Sequence, residues 1–425
     1  MHLSMGKPGY CTRFASMRDG HLIIGWEGCD RPLFNIYMLV FDMDISKSLG
    51  YKGMKPVPYI YQRLGSDIRA GFAFIMMAFV FGIPLVHALI RVWGNMTLML
   101  DNLHITIPIL SVCLQFVIIR WKQTVVASII KTIAEDWTAT KLSTERDVMI
   151  KQARIARLIG ITAYAVMGSA CIIITFFPYL GIQIRHLTNL TDRNKPLPLQ
   201  TYYIYDTDKD LQFVLTFFSQ VIPIFLVIIT YLAINTFLAF VILHICGQLE
   251  NFKCRIVNLV SCKDFDRALS SNIMIHLRLI RYAGNIENTF TFVLFLSVLM
   301  YGVVFCLCGF VLLTVINDEN LNSETFSQIS YLFLVVLSQL MQIFFYCFGG
   351  DLIIEQCDAV YRTICDLEWY TLESRKARKF ILLMLVAKEP FRISAGKVFP
   401  LTMTNFCNLL KTTAGYVSVL ITTQS

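Results

Sequence analysis

The sequence predicts an all-α membrane protein of seven transmembrane helices, with a cytoplasmic N-terminus and an extracellular C-terminus, and three observations predict it. The 425 residues are 56% hydrophobic and only 16% charged, whereas soluble domains run nearer about 50% apolar and about 25% charged. Runs free of Asp, Glu, Lys and Arg recur at lengths that cross a hydrocarbon core, which takes about 20 residues of helix. The basic residues collect in alternate connecting segments. The mean hydropathy of +0.60 fits the same class, and an ordinary cytosolic enzyme or a disordered scaffold is excluded.

Residues 1–70 read as a cytoplasmic N-terminal segment. Their first apolar stretch, 32–41, is too short to span and follows a mixed-charge stretch, so it reads as an interfacial piece and not as a secretory signal. Six apolar runs follow at 71–90, 102–119, 158–184, 211–249, 288–317 and 325–350. Backbone groups in lipid must be satisfied internally, and the runs lack the alternation of a barrel, so each is read as a helix. The fourth run is longer than a bilayer requires, and its helix is expected to project into solvent. None of the six carries an acid, which removes the coupling residue that a secondary transporter commonly places near midplane.

A seventh helix is expected within 398–425, where hydropathy is weak because Lys411 and several Thr and Asn interrupt it. Thr404, Asn408, Lys411, Gly415, Ser418 and Thr422 follow steps of three and four and so lie along one face. A polar, small-residue stripe on a membrane helix belongs against protein or a water-filled path. The remaining organisation is a six-helix region over 71–350, with a long cytoplasmic extension at 246–287 after the fourth span, and cytoplasmic anchor helices over 351–397.

Orientation follows from Lys and Arg, which stay on the cytoplasmic side. Residues 1–70 hold 9, 120–157 hold 8, 246–287 hold 6 and 351–397 hold 8, against 5 in the other set of loops. Both N-x-Ser/Thr sequons, at Asn95 and Asn189, fall in loops on the side assigned outside, where they are candidate glycosylation sites. All 13 cysteines avoid those loops and are expected to be free thiols.

No catalytic motif is present: the seven histidines are scattered, and there is no G-x-S-x-G, H-E-x-x-H or Gly-rich phosphate loop. An enzyme is not expected, nor a cofactor. The cysteine spacing does not suit a metal, so no metal site is expected either. The net charge of +8 is spread between apolar runs, which fits a lipid surround and no nucleic-acid partner. Seven spans also raise a G-protein-coupled receptor. The inverted charge bias, the missing D-R-Y and N-P-x-x-Y motifs and the cysteine-free long loop all oppose it.

The expected outer halves of several helices are apolar and aromatic. Ile105, Ile107 and Pro108 lie on the second, Ala170, Ile174 and Phe177 on the third, Phe213, Phe217 and Phe218 on the fourth, and Tyr331 and Phe333 on the sixth. Converging, they would make a pocket for a small uncharged organic molecule, with Tyr331, Thr175 or Gln220 for a hydrogen bond.

The stretches LMQIFFYCFGGDLIIEQCDAVY (340–361) and EPFRISAGKVFPLTMTNFCNLLKTTAGYVSVL (389–420) resemble the insect odorant receptor family, as HICGQLENFKCRI (244–256) does more weakly. The resemblance implies an odorant-gated, nonselective cation channel subunit, assembled as a heterotetramer with a co-receptor in the plasma membrane of olfactory sensory neuron dendrites. It implies an odorant pocket among the second, third, fourth and sixth helices, subunit contacts through 246–287 and 351–397, and a pore lined by the last helix. The family's apolar gate carries over to Val419, with a second position at Thr423, where the family often has leucine. Lys411 is expected to snorkel or to sit at a subunit contact. Gustatory receptors share the topology and are the nearest alternative. Their T-Y, five apolar residues, Q-F hallmark is not matched, because Gly415 precedes Tyr416 and the glutamine falls at position 424.

Overall fold

The computed structural model describes residues 13–18, 21–26, 59–139, 142–177, 197–207, 209–257, 259–260, 262, 264–317 and 323–424. The expected interfacial stretch 32–41 lies outside them. Near the N-terminus β1 (Arg13–Arg18) pairs antiparallel with β2 (His21–Trp26). The first span is a single bent rod: α1 (Tyr59–Ile75), a π-helical turn (Met76–Phe81) and α2 (Gly82–Arg91). Pro84 has no N–H to return to Val80, and the ladder widens to π geometry just before it.

The second span is α3 (Met96–Trp121), which Asn95 caps by accepting the Leu98 amide at 3.3 Å. It starts six residues before the apolar run and therefore contains Asp101, so the expectation that the first six spans carry no acid is corrected. Asp101 is the sixth residue of the helix, and an acid there does not end it, because ordinary residues differ in helix propensity by at most about 0.7 kcal/mol. A short helix α4 (Gln123–Thr138) follows, then the third span α5 (Ser143–Phe176). Helix α5 closes earlier than the apolar run, which puts Phe177 one residue past its end.

The remaining spans are long rods. Helices α6 (Asp210–Val257), α7 (Phe265–Asn317) and α8 (Ser323–Asp366) have 48, 53 and 44 residues, about 70, 80 and 65 Å at roughly 1.5 Å per residue. Projection beyond the bilayer was expected of the fourth helix, with further cytoplasmic helices over 246–287 and 351–397. In the structure α5, α6, α7 and α8 all extend past their runs at the same end. Charged residues continue a helix as readily as apolar ones when they face water or a partner, so hydropathy marks where lipid stops and not where the helix stops. Helix α9 (Ser374–Ala387) packs on this bundle, and a two-residue hairpin of β3 (Ser394–Ala395) and β4 (Phe399–Pro400) leads into α10 (Met403–Gln424). Among the described residues six helices are long and apolar enough to cross a membrane, and α10 is passed over by that measure, as its interrupted sequence predicts.

The largest core lies at the end where the helices project, called here the anchor end. Val126 and Ile129 of α4, Ile245 and Phe252 of α6, Phe290 of α7, Ile353 of α8 and Phe380 of α9 form one continuous cluster. Its charges are paired. The Arg255 guanidinium grips the buried Glu145 carboxylate through two nitrogens, joining α6 to α5, and Nη2 lies 2.8 Å from Oε2. Asp136 of α4 receives Arg278 Nη1 at 2.7 Å and lies 3.0 Å from His244 Nε2, which ties α4 to α7 and α6. Lys379 reaches Asp266 at 2.7 Å, which docks α9 on α7. At the opposite end, named here for its loop 197–207, the core divides into two smaller clusters. One surrounds Phe81, Ile109, Cys171, Leu199 and Ile224, and the other joins Leu100, Val304, Cys308 and Leu332.

Candidate ligand site and pore helix

Residues 197–207 do not lie over the bundle as a solvated loop; Leu197, Leu199, Gln200 and Thr201 are buried. A buried loop must find partners for its backbone, and side chains of the helices supply them. Gln220 of α6, fully buried, accepts the Leu199 amide at 3.3 Å through Oε1 and donates to Thr201 Oγ1 at 2.6 Å through Nε2. Asn102 of α3 donates to the Gln200 carbonyl at 3.3 Å and accepts from the Thr106 hydroxyl at 2.9 Å. The Tyr202 amide donates to the Pro84 carbonyl at 3.3 Å, while the ring of Tyr202 meets His87 and lies 4.7 Å from the Arg91 guanidinium carbon. Tyr205 and Thr216 hydroxyls meet at 2.8 Å. The loop thus stitches the ends of α2, α3 and α6 together.

Among the predicted ligand residues, the structure brings Ile105 and Ile174 against the same core cluster, beside Cys171 and Leu199. Pro108 lies inside α3 and, like Ala170, Phe177, Phe213 and Phe217, is partly buried. The Phe213 and Phe217 rings lie 6.3 Å apart. Phe218 and Phe333 are more than half exposed, and Phe218 touches the group only at its edge, through a T-shaped contact with Phe217 at 5.9 Å. Ile107 turns to the other small cluster, against α7 and α8. Tyr331 is helical, with its side chain outside the described residues. Two of the three expected hydrogen-bonding groups are already engaged: Gln220 holds the loop, and Thr175 returns its proton to the Cys171 carbonyl at 2.7 Å. Two crevices among the described residues each have room for about 10 Å³, the scale of one water. No predicted ligand residue lines either.

One of those crevices lies behind the last helix, between Tyr301 and Phe305 of α7, Gln339 and Ile343 of α8, and Leu409 and Thr413 of α10. A polar network adjoins it through Tyr301. The Tyr231 and Tyr301 hydroxyls meet at 2.9 Å, and Asn235 Oδ1 accepts from Gln342 at 3.0 Å and from the Tyr346 hydroxyl. Sequence reading missed this network, although Asn and Gln inside apolar runs were its signal.

Helix α10 packs on α7 and α8 with one side only. Phe406 and Leu409 sit against the core and Thr413 is buried, whereas Thr404, Asn408, Lys411, Gly415 and Ser418 are all exposed. Val419, Thr422 and Thr423 continue the helix, with side chains outside the described residues. Asn95 is exposed at the cap of α3, and Asn189 lies outside the described residues.

The residues that aim α10 were not singled out from sequence. Asp351 of α8 accepts the Met403 amide at 2.8 Å and so caps α10 from another helix. A Cβ on Gly350 would stand 2.1 Å from the Leu401 carbonyl oxygen, so only glycine lets the leader of α10 cross α8 there. Gly396 adopts φ 65°, and its amide donates to the Thr291 carbonyl at 2.8 Å. The Ser394 hydroxyl donates to Glu287 at 3.0 Å. The G-G-D sequence is therefore the clamp that holds the start of the last helix against α8.

The family described as 7tm Odorant receptor matches residues 95–414 of this chain. Odorant receptor 13a of Drosophila melanogaster is 24% identical over 278 residues, which is 60% of this chain and 65% of that protein. Odorant receptor 22c of the same species is 31% identical over 147 residues, 35% of this chain and 34% of its own length. These matches span less than two thirds of either relative. A solved structure of the insect olfactory receptor OR5 from Machilis hrabei, in complex with eugenol, superposes with a TM-score of 0.69 at 12% identity, covering 92% of this chain and 98% of that one. With a family match that runs from the cap of α3 well into α10, and a fold shared along almost its whole length, the chain belongs to the odorant receptor family.

Proposed function

We propose that the chain is an odorant receptor subunit that binds a small, mostly apolar volatile molecule and couples binding to a nonselective cation pore lined by α10, in a heterotetramer with a co-receptor in the plasma membrane of olfactory neurons. The observation that carries this reading is the uncovered polar stripe of α10. A row of Thr404, Asn408, Gly415 and Ser418 facing lipid would leave polar groups unsatisfied, and a water-filled axis between subunits satisfies them. Val419 and Thr423 are the gate positions, and Lys411 snorkels or sits at a subunit contact. The anchor end, with paired charges and one deep core, suits the contact between subunits.

The ligand site is the junction of α3, α5 and α6 around Ile105, Pro108, Ala170, Ile174, Phe177, Phe213 and Phe217, with Tyr331 of α8 as a further wall. The bound eugenol in the insect olfactory receptor OR5 supports a ligand of this size and character. Binding opens the pore only to the extent that the ligand prefers the open state, about 1.4 kcal/mol for each tenfold shift. The Tyr231, Asn235, Tyr301, Gln342 and Tyr346 network, with the crevice against Leu409 and Thr413, is the path along which rearrangement at α6 reaches α10.

Whole-cell current in cells expressing this chain with and without an insect co-receptor, under G-protein blockade, tests the proposal. Odorant-evoked cation current in the co-expressing cells alone is expected; silence to a broad volatile panel with both proteins at the surface counts against it. Orientation is tested separately. If the 197–207 end faces outward, a glycosidase-sensitive mobility shift appears and is lost in an Asn95→Gln, Asn189→Gln variant.

A further inference from the structure

Asp101 is the acid that the apolar runs did not show, and its position in α3 bears on what the ligand carries. Asp101, His104, Ile105 and Pro108 fall on one stripe of α3, at steps of three, one and three. Leu110, Leu114 and Val117 are exposed on the opposite side, and Leu110 is half a turn round from Asp101 at about 100° per residue. The stripe that holds Ile105 and Pro108, two of the three expected pocket residues of this helix, is therefore an inward face. Asp101 is 6% exposed and His104 4%.

A carboxyl group in such a place ordinarily has its oxygens engaged, because burying one without partners is costly. Here Asp101 Oδ1 lies 4.0 Å from His104 Nδ1, too far for a hydrogen bond, and Oδ2 has no partner among the described residues. Pro108, which carries no N–H, cannot return the helical bond to the His104 carbonyl. The stripe thus presents acceptors. The adjoining loop repeats the pattern: Gln200, 1% exposed, has neither its Oε1 nor its Nε2 partnered among the described residues, and its backbone is held by Asn102, the residue beside Asp101. Two separate segments meeting at one end of the bundle therefore keep buried polar atoms open, while the nearby Gln220 and Thr175 are fully engaged.

We infer that the ligand of this receptor carries a hydrogen-bond donor, a hydroxyl or an amino group on an apolar body, that Asp101 accepts it, and that Gln200 completes its polar surround. Esters, ketones and hydrocarbons bring no donor and leave Asp101 Oδ2 unpartnered, and a site built this way rejects analogues lacking the group. The inference rests on the receptor reading above and adds the ligand class and a specificity-determining residue.

The test measures dose-response currents for 1-octanol, octylamine, 2-octanone and octane in cells co-expressing the co-receptor, with surface labelling of every variant. The wild type is expected to respond to the alcohol or the amine at concentrations at least about tenfold lower than to the ketone or the alkane, the size of one good hydrogen bond. Asp101→Leu is expected to remove that preference while shifting the ketone and alkane far less. If Asp101→Leu does not reach the surface, Asp101→Asn serves: it keeps an acceptor but no charge, so an amine ligand loses about tenfold and an alcohol ligand much less, which separates the two donors. A wild-type response to ketone or alkane at equal or lower concentration overturns the inference, as does an equal shift of all four compounds in Asp101→Leu. A response to some ester or hydrocarbon of a broad panel, with none to the alcohol or amine, overturns it while leaving the receptor reading intact. Silence to every volatile with both subunits at the surface overturns both.

Discussion

The two ends of the bundle are built on opposite terms. At the anchor end the long helices α6, α7 and α8 share one apolar core with α4 and α9, and its buried charges meet partners, such as Glu145 with Arg255 and Asp136 with Arg278 and His244. At the 197–207 end the core divides in two, a loop replaces a helix in the packing, and Asp101 and Gln200 keep open atoms. One end has little to gain by moving, because any shift breaks packing and ion pairs together. The other has buried polar groups whose desolvation is only partly offset, which a ligand can complete. The difference teaches where stability and responsiveness reside in a helix bundle: the same rods carry both, separated along their length.

The junction offers the largest expected break in this comparison. Gly350→Ala places a methyl group against the Leu401 carbonyl, so either α8 or the leader of α10 must shift, at an expected cost above about 3 kcal/mol. Loss of surface expression or of assembly with the co-receptor, read by native gel, is expected. A variant that assembles and unfolds like wild type would mean that the leader gives easily and that the anchor end is softer than described.

Next in size is the anchor end itself. Arg255→Ala strips the partner from Glu145, which is 5% exposed at its side chain while Arg255 is 35% exposed. Partial screening on the arginine side puts the expected destabilisation near the lower bound for a broken buried pair, about 3 kcal/mol. The thermal midpoint of the detergent-solubilised complex should fall, with odorant potency in surviving channels little changed. A potency shift without loss of stability would erase the division of labour between the ends.

Gln220→Leu sharpens the comparison from the other side. It removes the acceptor of the Leu199 amide and the donor to Thr201, leaving groups of a buried loop unsatisfied at about 2 kcal/mol. Because the anchor core is untouched, assembly should persist while ligand potency or efficacy changes. An unchanged dose-response curve would show that the loop does not shape the site.

How much of this was legible in sequence differs by region. The rods could be read because lipid enforces unbroken apolar stretches, and the stripe of α10 could be read because helical spacing places Asn408, Gly415 and Ser418 on one face. The loop could not, because Pro198 to Tyr205 has no helical or strand period and forms no regular element; its signal was a loop free of charge from Pro196 to Tyr205, unusual for a segment bound for water. Asp101 was hidden by the rule that found the spans, since a charge-free window stops at the first acid even where the helix does not. Phe218 and Phe333 show the converse: an aromatic residue at the right depth says nothing about which side of its helix it occupies until the neighbours are known.

The smallest predicted effect is the most diagnostic, because Asp351 sits where the two ends are joined. Its carboxylate accepts the Met403 amide at the first turn of α10, and removing a cap of this kind costs about 1 kcal/mol. Asp351→Ala should therefore leave folding, surface expression and assembly near wild type while loosening the base of the pore helix. A gating equilibrium shifts about tenfold for 1.4 kcal/mol, so a cap that differs between closed and open states should change basal current several-fold. Asp351→Asn keeps an oxygen in the same place and, as an equally good capping residue, should restore wild-type currents. If asparagine changes the basal current as alanine does, the carboxylate acts through its charge and not as a cap. If both leave basal and evoked current untouched, the α10 N-terminus stays fixed during gating, and whatever moves in the pore helix lies further along it.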